Sequence, residues 1–238
     1  MAMKPIETLD NQDHRVRVAK IRRERMTERL LRATMECYAE HILTGPPSVD
    51  EVIARADVSR ATFYKYFVSV DEAIERRAGD LVDEMIESLK HLVVDQKRPI
   101  MLFTISLQLF LMRSVLDRTW AAFVAHSDML RTDGALFDGI TQHLAEASAQ
   151  GEVHFMDAVA ARTLAIGAMR ETIRSNARST EVRREFVDNI MSIILISLGV
   201  QREEARALVG EATIFIRGAA PDRLSWWRDP WLQWREHA

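Results

Sequence analysis

Ten consecutive residues, Val58-Ser59-Arg60-Ala61-Thr62-Phe63-Tyr64-Lys65-Tyr66-Phe67, constrain the fold of this chain more than any other part of it. Serine at position 59 is a good helix cap, because its hydroxyl can accept from a backbone N–H in the first turn. Behind it, Val58, Phe63 and Phe67 fall on one side of a helix of about two turns. Arg60, Thr62, Tyr64 and Lys65 fall on the other. A short helix that buries one side and presents hydroxyl, phenol and cationic groups on the other suits the major groove of DNA.

The residues before and after it are organised in the same way. Ser48-Val49-Asp50-Glu51 has the form of a capping box, and Val49, Val52, Ile53 and Ala56 form the apolar stripe of a short helix. Asp57 is the expected turn residue, since aspartate tolerates a left-handed backbone better than most side chains. A second capping box, Ser69-Val70-Asp71-Glu72, opens a long helix with Ile74, Ala78, Leu81, Met85 and Leu89 down one side. Upstream, Met26, Leu30, Ala33 and Cys37 recur at helical spacing, joined by Thr34, Tyr38 and Ile42, and Gly45-Pro46-Pro47 ends that helix. Two short helices joined by a tight turn make a helix-turn-helix. The same architecture also serves protein contacts, so on its own it leaves an ordinary helical hairpin open.

Charge favours nucleic acid. The whole chain of 238 residues carries a formal net charge of −3. Yet Arg15, Arg17, Lys20, Arg22, Arg23, Arg25, Arg29 and Arg32 are opposed only by Glu24 and Glu28 in the same stretch. A local positive field on a mildly acidic protein favours one DNA-facing surface, although this stretch taken alone fits a solvated basic tail better. Residues 1–24 show little apolar periodicity and are expected to be a flexible basic arm.

At positions 58–67 the sequence resembles the tetracycline-repressor (TetR) family of bacterial transcription regulators. The segment follows that family's valine-serine-x-small-threonine-apolar-tyrosine-x-aromatic-phenylalanine pattern, and the likeness extends over about residues 25–85. It implies that Thr62 and Tyr64 contact phosphate, that Arg60 and Lys65 lie near bases or backbone, and that Tyr66 sits against the DNA backbone. Ser48 would meet a phosphate beyond the N-terminus of the second helix, and Ser59 and Ala61 would complete the DNA-facing set. Three features depart from the family: Asp57 stands for the usual turn glycine, Val70 for a lysine, and the pair Pro46-Pro47 for an aromatic-polar pair.

Beyond residue 85 the pattern is helical throughout, with no alternation bounded by hairpin signals, so the fold class is all-α. A three-helix helix-turn-helix domain at 25–85, with its motif at 48–67, is followed by an α-helical domain at 86–238, the long fourth helix joining them. Helices are expected near Ile100–Leu116, Thr119–Met129 and Gly134–Ala149. Ala158, Ala161, Ala165 and Ala168 make a flat small-residue stripe, and Phe186, Ile190, Ile193 and Ile194 lie on a bulky helix. Each could simply be core; the resemblance adds pairing across a homodimer interface. Large apolar side chains at Phe103, Leu107, Trp120 and Phe123, mixed with His126 and closed by Met169 and Arg170, have the composition of a pocket for a small-molecule effector. An ordinary helical core fits them equally. Asp229-Pro230 looks like a cap and first helical residue, which would set Trp231 and Trp234 on one face docked on the protein itself.

Enzyme chemistry has no foothold in the sequence. It contains no nucleophile elbow, dinucleotide fingerprint, phosphate loop or H-E-x-x-H motif, and no metal or cofactor is expected. The single cysteine, Cys37, lies on an apolar face and reads as a buried thiol. The apolar run Ile100–Met112 is short for a membrane span and there is no secretory h-region, so a cytoplasmic location without membrane contact is expected. The partners implied are double-stranded operator DNA, a second copy of the chain and an effector. The remaining alternatives are a constitutive DNA-binding regulator and an all-α interaction module, which would leave residues 48–67 without a purpose.

Overall fold

The computed structural model describes the backbone of residues 6–40, 45–127 and 135–232, and the side chains within those ranges except 6–15, 126 and 135–137. Ten helices account for the regular structure among them. They are α1 (Ile6–Glu40), α2 (Val49–Ala56), α3 (Arg60–Tyr64), α4 (Val70–Leu92), α5 (Pro99–Leu116), α6 (Arg118–His126), α7 (Ala135–Ala149), α8 (Ala158–Arg178), α9 (Arg184–Ser197) and α10 (Arg202–Arg223). The chain divides into two compact units, Met1–Arg77 and Ala78–Ala238, so the division falls inside α4, earlier than the expected boundary at residue 85.

In the first unit, Leu30, Leu31, Ala33 and Cys37 of α1 pack with Val52 and Ala56 of α2, Phe63 of α3, and Phe67, Val70 and Ala73. Within the stretch expected as a basic arm, the described residues 6–24 are helical, since α1 runs from Ile6. Between Pro5 and Gly45 there is neither glycine nor proline to stop a helix. The charges also pair along it, as Lys20 does with Glu24 one turn on, at 3.9 Å. Ile42 lies outside the described residues. The thiol of Cys37 is buried and donates toward the Glu51 carbonyl at 3.7 Å. Burial pushes its pKa up, which keeps it a protonated, inert packing group.

The second unit is arranged around α5. Fourteen of its eighteen residues are buried, and it packs against α6, α7, α8, α9 and α10. The helix is apolar enough and long enough to cross a membrane, but here that surface is covered by its five neighbours. Its few polar side chains are tied locally or across the core: Thr104 donates to Ile100 O at 2.7 Å, and Gln108 Nε2 donates to Thr213 Oγ1 of α10 at 2.5 Å. Gly199 makes the α9–α10 turn with φ of 88°, and a Cβ there would stand 2.5 Å from the His154 carbonyl oxygen. Only glycine fits both conditions.

In the C-terminal segment Asp229 caps as expected: its Oδ1 accepts from the Trp231 N–H at 3.0 Å and its carbonyl from the Leu232 N–H at 3.4 Å, a 3₁₀-type bond across Pro230 and Trp231. Trp234 lies outside the described residues. The docking of the tryptophans is as expected. Trp226 Nε1 donates to Ser88 Oγ at 2.9 Å and Trp231 Nε1 to the Val182 carbonyl at 3.3 Å.

Candidate nucleic-acid interface and effector region

The recognition segment is positioned by three caps. At the start of α2 the capping box is complete: the Glu51 N–H donates to Ser48 Oγ at 3.3 Å, and the Ser48 N–H donates to Glu51 Oε2 at 2.7 Å. At its end, Asp57 takes φ 49° and ψ 56°, its N–H bonding Ala54 O at 3.2 Å while the Val58 N–H bonds Ile53 O at 3.1 Å. That pair of bonds is a Schellman motif, and Val58 and Ile53 supply its apolar contact against the core. Aspartate replaces the usual glycine here at some cost in backbone strain. Arg29 of α1 offsets it by donating to the Asp57 carbonyl at 3.1 Å and to its carboxylate at 3.3 Å. Ser59 then caps α3, accepting from the Thr62 N–H at 3.1 Å.

With the turn set, Phe63 points into the core and Tyr64 out of it, the two rings edge to face at 5.6 Å. Ser48, Ser59, Arg60, Ala61, Tyr64 and Lys65 are exposed, Tyr64 to 49 %. Arg60 and Tyr64, and Ala61 and Lys65, are one helical turn apart and so share the outer side of this segment. Two residues of the expected set are less available. Thr62 is half-buried with its hydroxyl 2.9 Å from that of Ser59. Tyr66 is packed against the core, with the Arg23 guanidinium 5.8 Å from its ring centroid. Tyr66 is therefore part of the scaffold first.

One partner was not foreseen. Arg60, the best base-reading candidate, is held by the Asp50 carboxylate at 2.5 Å, which also raises the guanidinium's pKa. The sequence carried only a local trace of it: Asp50 is the third residue of the capping box, in the first turn of α2 and ten positions before Arg60. The second box, at α4, also differs in detail. Ser69 Oγ accepts from the Glu72 N–H at 3.1 Å, but the Glu72 carboxylate reaches the Val68 N–H and not that of Ser69.

In the second unit the expected pocket residues are core. Phe103, Leu107, Trp120, Phe123 and Met169 are all fully buried, with Phe110 and Trp120 rings 6.0 Å apart. Arg170 is exposed, one residue round the helix from buried Met169, so it does not close a pocket with it. The His126 side chain and all of Met129 lie outside the described residues. Cavities of about 250 and 220 Å³ in this unit are lined by other residues, near the end of α8, the start of α9 and the C-terminal segment.

The expected dimer residues divide by face. Ala161, Ala165 and Ile194 are buried in their own subunit, since α8 packs on α5 and α6, and α9 packs on α10. They cannot also meet a partner. Ala158 is exposed and Ala168 and Ile190 half-buried, while Phe186 and Ile193 stand out from α9, the latter 61 % exposed. Ile196 of α9 and Ile214 of α10, which the sequence reading omitted, are exposed as well.

Among solved structures, RolR in complex with its ligand resorcinol is similar to the chain at 21% identity over 79% of this chain and 94% of that one, with a TM-score of 0.61. RolR without ligand superposes with a TM-score of 0.59, at 21% identity over 77% and 95%. A gamma-butyrolactone receptor, an ArpA-like protein, does so with a TM-score of 0.56, at 14% identity over 83% and 99%. The sequence matches no protein-family model and no curated protein. The likeness is one of fold: the chain has the all-helical fold of tetracycline-repressor-type proteins, a helix-turn-helix unit followed by a larger helical unit.

Proposed function

We propose that this chain is a TetR-family transcription regulator. It is a cytoplasmic homodimer that binds a palindromic operator through α3 and is released by a small-molecule effector, acting as a repressor. The observation that carries DNA binding is the exposed row of Arg60, Tyr64 and Lys65 on a helix held by three caps. Phosphate contacts from Tyr64 and Thr62 would position the helix, and Arg60 and Lys65 have the reach for base edges.

Ligand response is supported by the fold shared with a protein crystallised with resorcinol and with a gamma-butyrolactone receptor. Dimerisation is supported by the outer face of α9 and α10. Phe186 and Ile193 are exposed on α9 and Ile214 on α10, where Gly210 and Gly218 lie four residues to either side of Ile214 and an added Cβ would meet nothing within 4 Å. Glycine inside a helix costs about 1 kcal/mol relative to alanine. Here its own subunit has no steric need for it, whereas a second copy approaching closely would.

Two measurements test the reading. Selection from random duplexes should return one palindromic sequence with half-sites about 34–36 Å apart or a multiple of it. Light scattering should give twice the chain mass. Absence of any sequence preference would leave the interaction-module alternative. A monomer at micromolar concentration would remove the palindrome.

A further inference from the structure

Beneath the C-terminal segment, the ends of α5 and α8 and the start of α6 enclose a cavity of about 220 Å³. Val115, Leu116 and Pro230 give it apolar walls, and exposed Arg118 and Arg228 stand at its mouth. Asn176 lies at its floor, only 1 % exposed. Its amide orientation follows from its neighbours. Ser114 donates its one hydroxyl proton to the Leu111 carbonyl at 2.7 Å, so toward Asn176 it can only accept. Asn176 Nδ2 fills that role at 2.8 Å. The group left over is the carbonyl oxygen Oδ1, buried and without a hydrogen-bond partner. A buried acceptor in that state calls for a donor.

We propose that this cavity is the effector site, and that its ligand is a ring-sized hydroxy acid. Its hydroxyl donates to Asn176 Oδ1, and its carboxylate lies at the mouth between Arg118 and Arg228. This rests on the regulator reading given above. The size fits, since an apolar cavity of about 150 Å³ already admits benzene. The polarity fits as well: an acceptor at the floor rejects an anion there, two guanidiniums at the rim attract one, and the Asp229 carboxylate in the lining is already paired with Arg217.

The same segment links the cavity to α4. Four residues before Pro230, Trp226 donates to Ser88 and lies under the Arg113 guanidinium, 4.3 Å from its ring centroid. Arg113 in turn pairs with Glu84 at 3.3 Å. Ser88 and Glu84 both belong to α4, whose first turns lie in the DNA-binding unit. A ligand that displaces residues 228–230 therefore acts on the contacts that hold α4.

Calorimetry on the full chain with 3- and 4-hydroxybenzoate, benzoate and phenol tests the site without DNA. At least one hydroxybenzoate should bind once per chain, with benzoate and phenol each at least tenfold weaker. Asn176→Leu removes the acceptor, and Thr180→Phe fills the cavity from its exposed rim while leaving Asn176 in place. Both should weaken binding tenfold or more, and Thr180→Phe keeps the test valid if the first variant does not fold. Benzoate binding as tightly as the hydroxybenzoates, unchanged binding by Thr180→Phe, or no binding by either hydroxybenzoate would overturn the proposal. The hydroxybenzoate that binds should also weaken operator affinity at least tenfold and change tryptophan fluorescence. Binding that leaves the affinity for a selected operator unchanged overturns the effector role. A protein that selects no DNA at all fails the regulator reading instead.

Discussion

The two units of this protein use the same element, the amphipathic helix, in opposite ways. In the first, chemistry faces outward from a helix of five residues, and every group that positions it lies within a few dozen residues in sequence. In the second, the residues that line the candidate ligand cavity come from positions more than a hundred apart, such as Val115 and Arg228. A surface site can be read from local pattern because caps and periodicity decide which side chains face solvent. A cavity is defined by what fails to fill the space between several helices, and no single helix encodes that.

The largest effect expected from this contrast separates buried from exposed small-residue and apolar positions. Ala165→Glu would place an unpaired charge inside the subunit, costing on the order of 3–5 kcal/mol and unfolding it. Ile193→Glu, on the exposed side of α9, should leave the helical circular dichroism intact and split the dimer in light scattering. If the two variants behave alike, the division of faces is wrong. Gly199→Ala comes next: strain at positive φ costs about 1–3 kcal/mol, and the close His154 carbonyl adds to it. A thermal melt lowered by several degrees is the expected result.

The recognition surface should give smaller, DNA-specific changes. Arg60→Ala should lose roughly 1–3 kcal/mol at the selected operator if it reads a guanine bidentately, whereas Tyr64→Phe should weaken all sequences alike. Asp50→Asn should act in the opposite direction. It frees Arg60 and removes a negative charge beside the phosphates, raising affinity by up to about fivefold at low salt, in line with the ~1 kcal/mol ceiling of exposed pairs. Binding measured by fluorescence anisotropy on one duplex and a scrambled control separates the three.

The smallest effect expected is on pH. Burial holds the His143 pKa below its ordinary value, so the unfolded chain takes up a proton before the folded one does. Stability is therefore unaffected above the unfolded pKa of about 6.5 and falls as pH drops below it. His143→Gln should flatten that slope in denaturant titrations between pH 5 and 7, chosen to span the same value.

Much of the first unit was legible before the structure. Ser48, Asp57 and Ser59 cap or turn as their types imply, and Val58, Phe63 and Phe67 face inward. What escaped there was tertiary: the Asp50–Arg60 pair, the Arg29 bonds to Asp57, and the packing of Tyr66. In the second unit the helices fall close to their expected ranges, but five of the expected pocket residues are packed core and three of the eight expected dimer residues, Ala161, Ala165 and Ile194, are buried. Apolar periodicity says that a face is buried without saying against what, so Phe103 or Ala165 reads the same whether it lines a cavity, a partner or its own core.

By itself, then, the sequence determined the all-helical class, the helix-turn-helix and the set of side chains offered to DNA, because caps, turns and 3.6-residue periodicity act over one or two turns of chain. Only the tertiary structure decided where an unfilled space remains, which acceptor is left unpaired at Asn176, and which side of α9 stays uncovered. Those outcomes depend on how five helices close around α5, and packing of that kind is a property of the assembled volume and not of any one segment.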